Sequence, residues 1–145
     1  MDETTEAVAT LTEEQCWEHL RRQVLGRLVT RVGDVIDIFP VNYVVDDGGV
    51  VFRTGQGSKL FELTINADVL FEVDDHTEDE AWSVVARGPA HPLETFAEVE
   101  RADGLGLEPW IPTLKYVYVR IEPTRLTGRH FMRGPEPDRY GVQQY

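Results

Sequence analysis

The Asp46-Asp47-Gly48-Gly49 run constrains this chain more than any other feature, because it separates two apolar stretches of strand character. Val35 to Val45 precedes it, interrupted by Pro40, and Val50 to Thr54 follows. Asp-Gly and Gly-Gly tolerate the positive φ angles of tight turns, so the two stretches are predicted to fold back as an antiparallel hairpin.

The same alternation of short apolar stretch and turn runs through the chain. Leu25 to Val32 is predicted as a first strand, with Gly33-Asp34 as its turn, which makes the hairpin stretches the second and third strands. Val69 to Val73 is a fourth and Ala81 to Pro92 a fifth. Lys115 to Ile121 is a sixth, with Tyr116, Tyr118 and Arg120 alternating against Val117, Val119 and Ile121, and Gly128 to Phe131 extends or follows it. The acidic stretch Asp74 to Glu80 and the segment Gly104 to Pro112 read as loops.

Helices are confined to the edges. Thr12 caps a first helix, with Gln15 completing a capping box, Glu13 and Glu14 suiting the positive end, Cys16, Trp17 and Leu20 forming the apolar stripe and Gly26 ending the segment. A short helix is predicted from Lys59 to Ile65 and another from Glu94 to Asp103. Strands joined by short turns, with helices only at the edges, point to a mainly β fold: a six-stranded antiparallel barrel with short flanking helices, not a βαβ sheet. Closure also removes exposed strand edges.

A chain of 145 residues fits one domain. Residues 1–10 are predicted as a flexible N-terminal segment, 11–133 as the folded domain and 134–145 as a polar tail. The net charge of -12 opposes binding to nucleic acid or anionic membranes, which requires Lys and Arg to neutralise phosphates. Any phosphate must therefore sit where a few donors converge. Cys16 is the only cysteine, so no intrachain disulfide forms. The sequence contains neither an apolar run near membrane-spanning length nor a leader pattern, so a cytoplasmic protein is expected. His19, His76, His91 and His130 are scattered, without zinc-type spacing.

Chemistry concentrates in Phe52-Arg53-Thr54-Gly55-Gln56-Gly57-Ser58-Lys59, which leaves a strand, passes two glycines and enters a helix. A helix start offers unpaired N–H groups, Gly55 and Gly57 allow close approach, Thr54 and Ser58 add hydroxyls, and Arg53 and Lys59 add charge. The same residues also suit an ordinary strand–turn–helix connection with Ser58 as N-cap. The P-loop spacing is absent.

Taken in order, Gly26-Arg27-Leu28, Asp37-Ile38-Phe39-Pro40-Val41-Asn42-Tyr43, Phe52-Arg53-Thr54, Gly57-Ser58-Lys59-Leu60, Phe71-Glu72-Val73-Asp74 and Trp82 to Gly88 resemble the pyridoxamine 5'-phosphate oxidase-like, FMN-binding split-barrel family. The likeness spans roughly Leu11 to Phe131. It implies a split β-barrel, a homodimer with cofactor sites at the interface, and flavin-dependent oxidoreductase activity on a small organic molecule. It further implies that Val41, Asn42 and Tyr43 border the flavin ring and that Arg53, Thr54, Ser58 and Lys59 hold the phosphate. Trp82 and Ser83 would approach from the partner subunit. The cofactor is FMN on this likeness, with the deazaflavin F420 as alternative, and a non-catalytic flavin- or haem-binding protein as a further reading. Asn42 could pair with the ring edge or with interface backbone. Tyr43 and Trp82 could flank a ring or pack, and Arg87 could form a salt bridge or serve the cofactor. Arg125-Leu126-Thr127-Gly128-Arg129-His130-Phe131 lacks the family's vitamin B6 substrate motif, so the resemblance supports the cofactor site and not that oxidation.

Overall fold

A computed structural model describes residues 7–108 and 115–134. Their elements, in order, are β1 (Val8–Thr10), α1 (Glu13–Arg21), β2 (Leu25–Val32), β3 (Val35–Asp46), β4 (Gly49–Gly55), α2 (Lys59–Thr64), β5 (Ala67–His76), β6 (Glu80–Pro92), α3 (Phe96–Asp103), β7 (Tyr116–Ile121) and β8 (Arg125–Met132).

The β3–β4 hairpin forms as predicted. Asp46 pairs with Gly49 across a turn in which Asp47 (φ 44°) and Gly48 (φ 72°) both take positive φ, the geometry that matches strand twist. β2 pairs with β3 on one side and β5 on the other; β4 pairs with β7, and β6 with both β5 and β7. These antiparallel ladders close β2, β3, β4, β7, β6 and β5 into a six-stranded barrel. One edge of β6 is shared. Its Ala90–Pro92 end pairs with β7, while Glu80 to Arg87 pairs with β8, and β1 adds to the far side of β8. Gly88 sits where the edge changes partner, and a Cβ there would meet the Glu122 carbonyl oxygen at 2.1 Å.

Leu28, Val41, Tyr43, Val50, Phe52, Phe71, Val84 and Ile121 fill the barrel, and α1 plugs one end with Cys16 and Leu20. A second, smaller core of Val51, Ala102 and Tyr118 lies outside the barrel under α3. β4 is therefore buried on both faces, which accounts for its unbroken Val50-Val51-Phe52 run. Asp46 ties α3 down by accepting from Arg101 at 2.7 Å and Arg120 at 3.4 Å, and the Arg101 hydrogen bond holds its carboxyl below the usual range.

Several local expectations differ. α1 ends at Arg21, and Gly26 lies inside β2, where a Cβ would overlap Phe71 at 2.3 Å. Asp74, Asp75 and His76 continue β5, paired with Ser83, Trp82 and Ala81, so the acidic stretch is strand for half its length. β8 is a separate strand beside β6, and Val8–Thr10, expected to be flexible, pairs with Arg129, His130 and Phe131. The loop expected at Gly104 to Pro112 lies partly outside the described residues, as does the tail beyond residue 134.

Candidate functional site

The site grows from the end of β4. Thr54 points inward and is buried, and its Oγ1 lies 3.1 Å from the Ser58 Oγ. Ser58 accepts from the Phe61 N–H at 3.1 Å, the arrangement of an N-cap, and Gly57 takes φ 81° to turn the chain. α2 has only six residues, so its dipole is small and one of its free N–H groups already belongs to Ser58. Positive charge at this turn comes from side chains. Lys59 extends into solvent with its Nζ 3.7 Å from Asp37 Oδ1.

Arg53 points the opposite way from Thr54, onto the outer face. Its guanidinium carbon lies 3.9 Å above the centre of the Tyr116 ring, and its Nε is buried with no hydrogen-bond partner. Asn42 lies close by on β3. Asn42 and Arg53 flank the Tyr43–Phe52 register pair, whose rings fill the barrel, so both face outward at the same end. The Asn42 Nδ2 donates to the Glu108 carbonyl at 3.0 Å, which leaves its Oδ1 buried and unpaired. One acceptor and one donor therefore stand unsatisfied on the same outer face. Each such group costs about 1–3 kcal/mol, and native proteins pair nearly all of them. Among the described residues the other orphan, Thr30 Oγ1, is buried on the inward face of β2.

Val41 and Tyr43 face inward. Tyr43 donates to the Leu20 carbonyl at 2.6 Å and meets Phe71 edge-on at 4.9 Å, and burial pushes its phenol well up. Its ring is a core ring; along this strand Asn42 alone of the three presents its side chain outward. Trp82 shares the inward face of β6 with Val84 and Ala86, packs on the barrel core and stacks on His19 of α1 at 4.2 Å. Burial, then the charge of Arg22, lowers the His19 pKa. Ser83 faces outward between Asp74 and Arg129. Trp82 and Ser83 lie on the half of β6 paired with β8, whereas β4 neighbours β3 and β7, so one chain does not bring these residues to the Arg53 turn. Arg87 bonds Asp68 at 3.1 Å, the salt-bridge alternative.

Two features escaped sequence reading. Tyr116 had a signal, its alternation in β7, but nothing local linked it to Arg53. The second is an apolar outer face: Ile36 and Ile38 are exposed on β3, with Leu70 on β5. Val29 joins them, paired with Ile38 on one side and Leu70 on the other. Next to this row Arg27 contacts both Glu72 and Asp74. Burial, reinforced by Asp74, pushes the Glu72 carboxyl up to about 7 against the pull of Arg27. Hydrogen bonding from Glu72 and Arg27 holds Asp74 low.

The sequence pattern of the pyridoxamine 5'-phosphate oxidase family matches residues 12–130. The chain belongs to this family. A candidate pyridoxamine 5'-phosphate oxidase of Corynebacterium glutamicum is 48% identical, with a TM-score of 0.84 over 94% of this chain and 99% of that one. An FAD-binding protein of Mycobacterium smegmatis is 43% identical, with a TM-score of 0.81 over 87% of this chain and 100% of that one. An uncharacterised Mycobacterium tuberculosis protein is 49% identical over 90 residues, 62% of this chain and 82% of that protein. Among the described residues no helix is long and apolar enough to cross a membrane.

Proposed function

We propose that this chain binds a flavin on the outer face of β3 and β4 and serves a flavin-dependent oxidation or reduction of a small organic molecule. The observation that carries the reading is the two orphans on one outer face, Asn42 Oδ1 and Arg53 Nε. The pyrimidine edge of a flavin offers an N–H to the first, and a flavin phosphate offers an acceptor to the second. Lys59 and Ser58 complete the phosphate side, with the inward Thr54 hydroxyl bracing Ser58, while Val41 and Tyr43 contribute backbone alone. A bound flavin supplies hydride and electron transfer itself, and the protein binds, orients and shields it.

The ligand named for the Mycobacterium smegmatis relative puts FAD first among flavins, with FMN next and F420 as the third candidate. All three carry a phosphate near the ring, so the same residues serve each. Haem has less in its favour: His130 Nε2 is 3.1 Å from Glu80 Oε2 and His19 is stacked on Trp82.

A homodimer belongs to this proposal. The exposed row of Ile36, Ile38 and Leu70 is an apolar face that a second copy would cover. Trp82 and Ser83 of that copy are the residues expected to approach the flavin.

An absorbance spectrum of the protein as purified, then after incubation with FAD, FMN and F420 in turn, tests the reading. Flavin bands, or saturable uptake of one of the three, support it. A colourless protein that takes up none of them overturns it. Lys59→Ala should weaken FMN binding by about 1.5–3 kcal/mol, the worth of a hydrogen bond to a charged group.

A further inference from the structure

We propose that Tyr116 is a positioning residue for phosphate recognition: its ring holds the Arg53 guanidinium flat and so aims that group's free donors at the ligand phosphate. This rests on the flavin reading above and adds to it a residue with no assigned role.

The geometry begins with what Arg53 lacks. Arg27, Arg87, Arg101 and Arg120 are all held by carboxylates, as expected in a chain of net charge -12. Among the described residues Arg53 has no ion pair, and its buried Nε has no partner. The face of Tyr116 lies 3.9 Å from the guanidinium carbon, and the cross-strand partner Tyr118 adds a side-chain hydrogen-bond contact. A carboxylate would occupy the N–H groups and cancel the charge. An aromatic face does neither, because stacking uses the π surface and takes up no in-plane donor, and the Arg53 Nε stays without a partner. An arginine fixed this way is preorganised for an anion and loses less rotamer freedom when the anion arrives.

Tyr116 is itself braced. Tyr118 meets it edge-on at 5.5 Å and 81°, and the Tyr118 hydroxyl donates to Asp103 Oδ1, the last residue of α3, at 2.6 Å. Burial, aided by Asp103, pushes the Tyr118 phenol up to about 12, so this donor stays protonated across the working range. At its other side Tyr116 pairs with Gly55, and the Gln56 N–H donates to the Lys115 carbonyl at 3.2 Å. The start of β7 is thus sewn to the turn that carries Ser58 and Lys59. α3, Tyr118, Tyr116 and Arg53 form one line of contacts ending at the proposed phosphate.

The test compares riboflavin, which has no phosphate, with FMN, titrated into the full chain carrying Tyr116→Phe, Tyr116→Leu, Arg53→Ala or the Tyr116→Leu/Arg53→Ala pair. The readout is the ratio of FMN affinity to riboflavin affinity. Tyr116→Phe should keep that ratio within about threefold of the parent, since the ring face remains, and Tyr116→Leu should lower it about tenfold. The double variant should fall no further than Arg53→Ala alone. Tyr116 is partly exposed, so Leu fits without forcing the core, and urea midpoints confirm folding. If Tyr116→Leu weakens riboflavin and FMN equally, its role is structural and the proposal is overturned. If it leaves the ratio unchanged while Arg53→Ala lowers it, the proposal fails and the phosphate site stands. If Arg53→Ala leaves the ratio unchanged, or the parent does not favour FMN over riboflavin, the phosphate site and the proposal fall together.

Discussion

Gly128 on β8 and Cys16 on α1 meet so closely that no side chain fits between them: a Cβ on Gly128 would stand 2.7 Å from the Cys16 sulfur. The same Cβ would also press on Leu11 at 2.9 Å and on the Ser83 carbonyl at 3.1 Å. The contact seats α1 on the end of the barrel. Gly128→Ala should destabilise the fold by about 1–3 kcal/mol, the usual cost of overpacking. Urea denaturation checks this, with a lower midpoint at unchanged slope as the expected result.

Tyr43 lies within the family-like segment, yet its hydroxyl is spent inside the barrel on the Leu20 carbonyl. Tyr43→Phe should cost about 0.5–1.5 kcal/mol of stability, because it removes one buried hydrogen bond while the Leu20 carbonyl keeps the Gln23 N–H at 3.4 Å. Flavin affinity should hold. A loss of affinity at preserved stability would put the ring in the ligand site and contradict its buried position.

Glu72, beside Arg27 and Asp74, makes stability depend on pH. Its folded pKa of about 7 lies above the ordinary 4.5, so the folded state holds this proton more tightly than the unfolded state. Stability from this group is fully present below pH 4.5 and is lost as pH rises to about 7. Asp74, whose pKa is lowered, works the other way: its contribution is present above 3.8 and is lost as pH falls through its folded value. Glu72→Gln keeps an acceptor for Arg27 and removes the cost of ionisation. It should leave stability at pH 4.5 near that of the parent and raise it by roughly 1–2 kcal/mol at pH 8, after allowance for solvent screening. Thermal unfolding at the two pH values provides the comparison.

The exposed Ile36 and Ile38 mark the face assigned to a second copy. Ile36→Asp with Ile38→Asp should shift the protein from dimer to monomer in sedimentation equilibrium and cost flavin retention at the same time. Each side chain is largely exposed in the single chain, so the monomer should stay folded. A parent protein that sediments as a monomer would remove the interface from the proposal.

The parts of the fold that were legible in the sequence share a short range. The β3–β4 turn rests on Asp47 and Gly48, two residues whose φ angles their own chemistry permits. The start of α1 rests on Thr12 and Gln15, which bond each other's backbone across three positions at 3.1 and 2.8 Å. β2 was readable end to end because its apolar residues and its turn are adjacent. Arg53, Thr54, Ser58 and Lys59, the residues of the proposed phosphate side, also lie within one short stretch of sequence.

What failed depended on a neighbour far along the chain. Val8–Thr10 has too little length to announce itself and becomes β1 only because β8 offers an open edge. Asp74 and Asp75 look like loop residues, but β6 extends past the barrel and pairs with both, while Arg27 takes the charge of Asp74. Asn42 and Tyr43 are adjacent, and only barrel closure decides that the tyrosine points in and the amide points out. Arg53 and Tyr116 are brought together by the β4–β7 ladder, which no local pattern foretells. The sequence by itself determined most of the strand-and-turn order and the helix caps, because those depend on φ angles and side chains within a few positions. Only the tertiary structure decided which face each strand presents, which donors stay unpaired and which aromatic ring lies against the arginine, because those depend on the register of strands that meet only when the barrel closes.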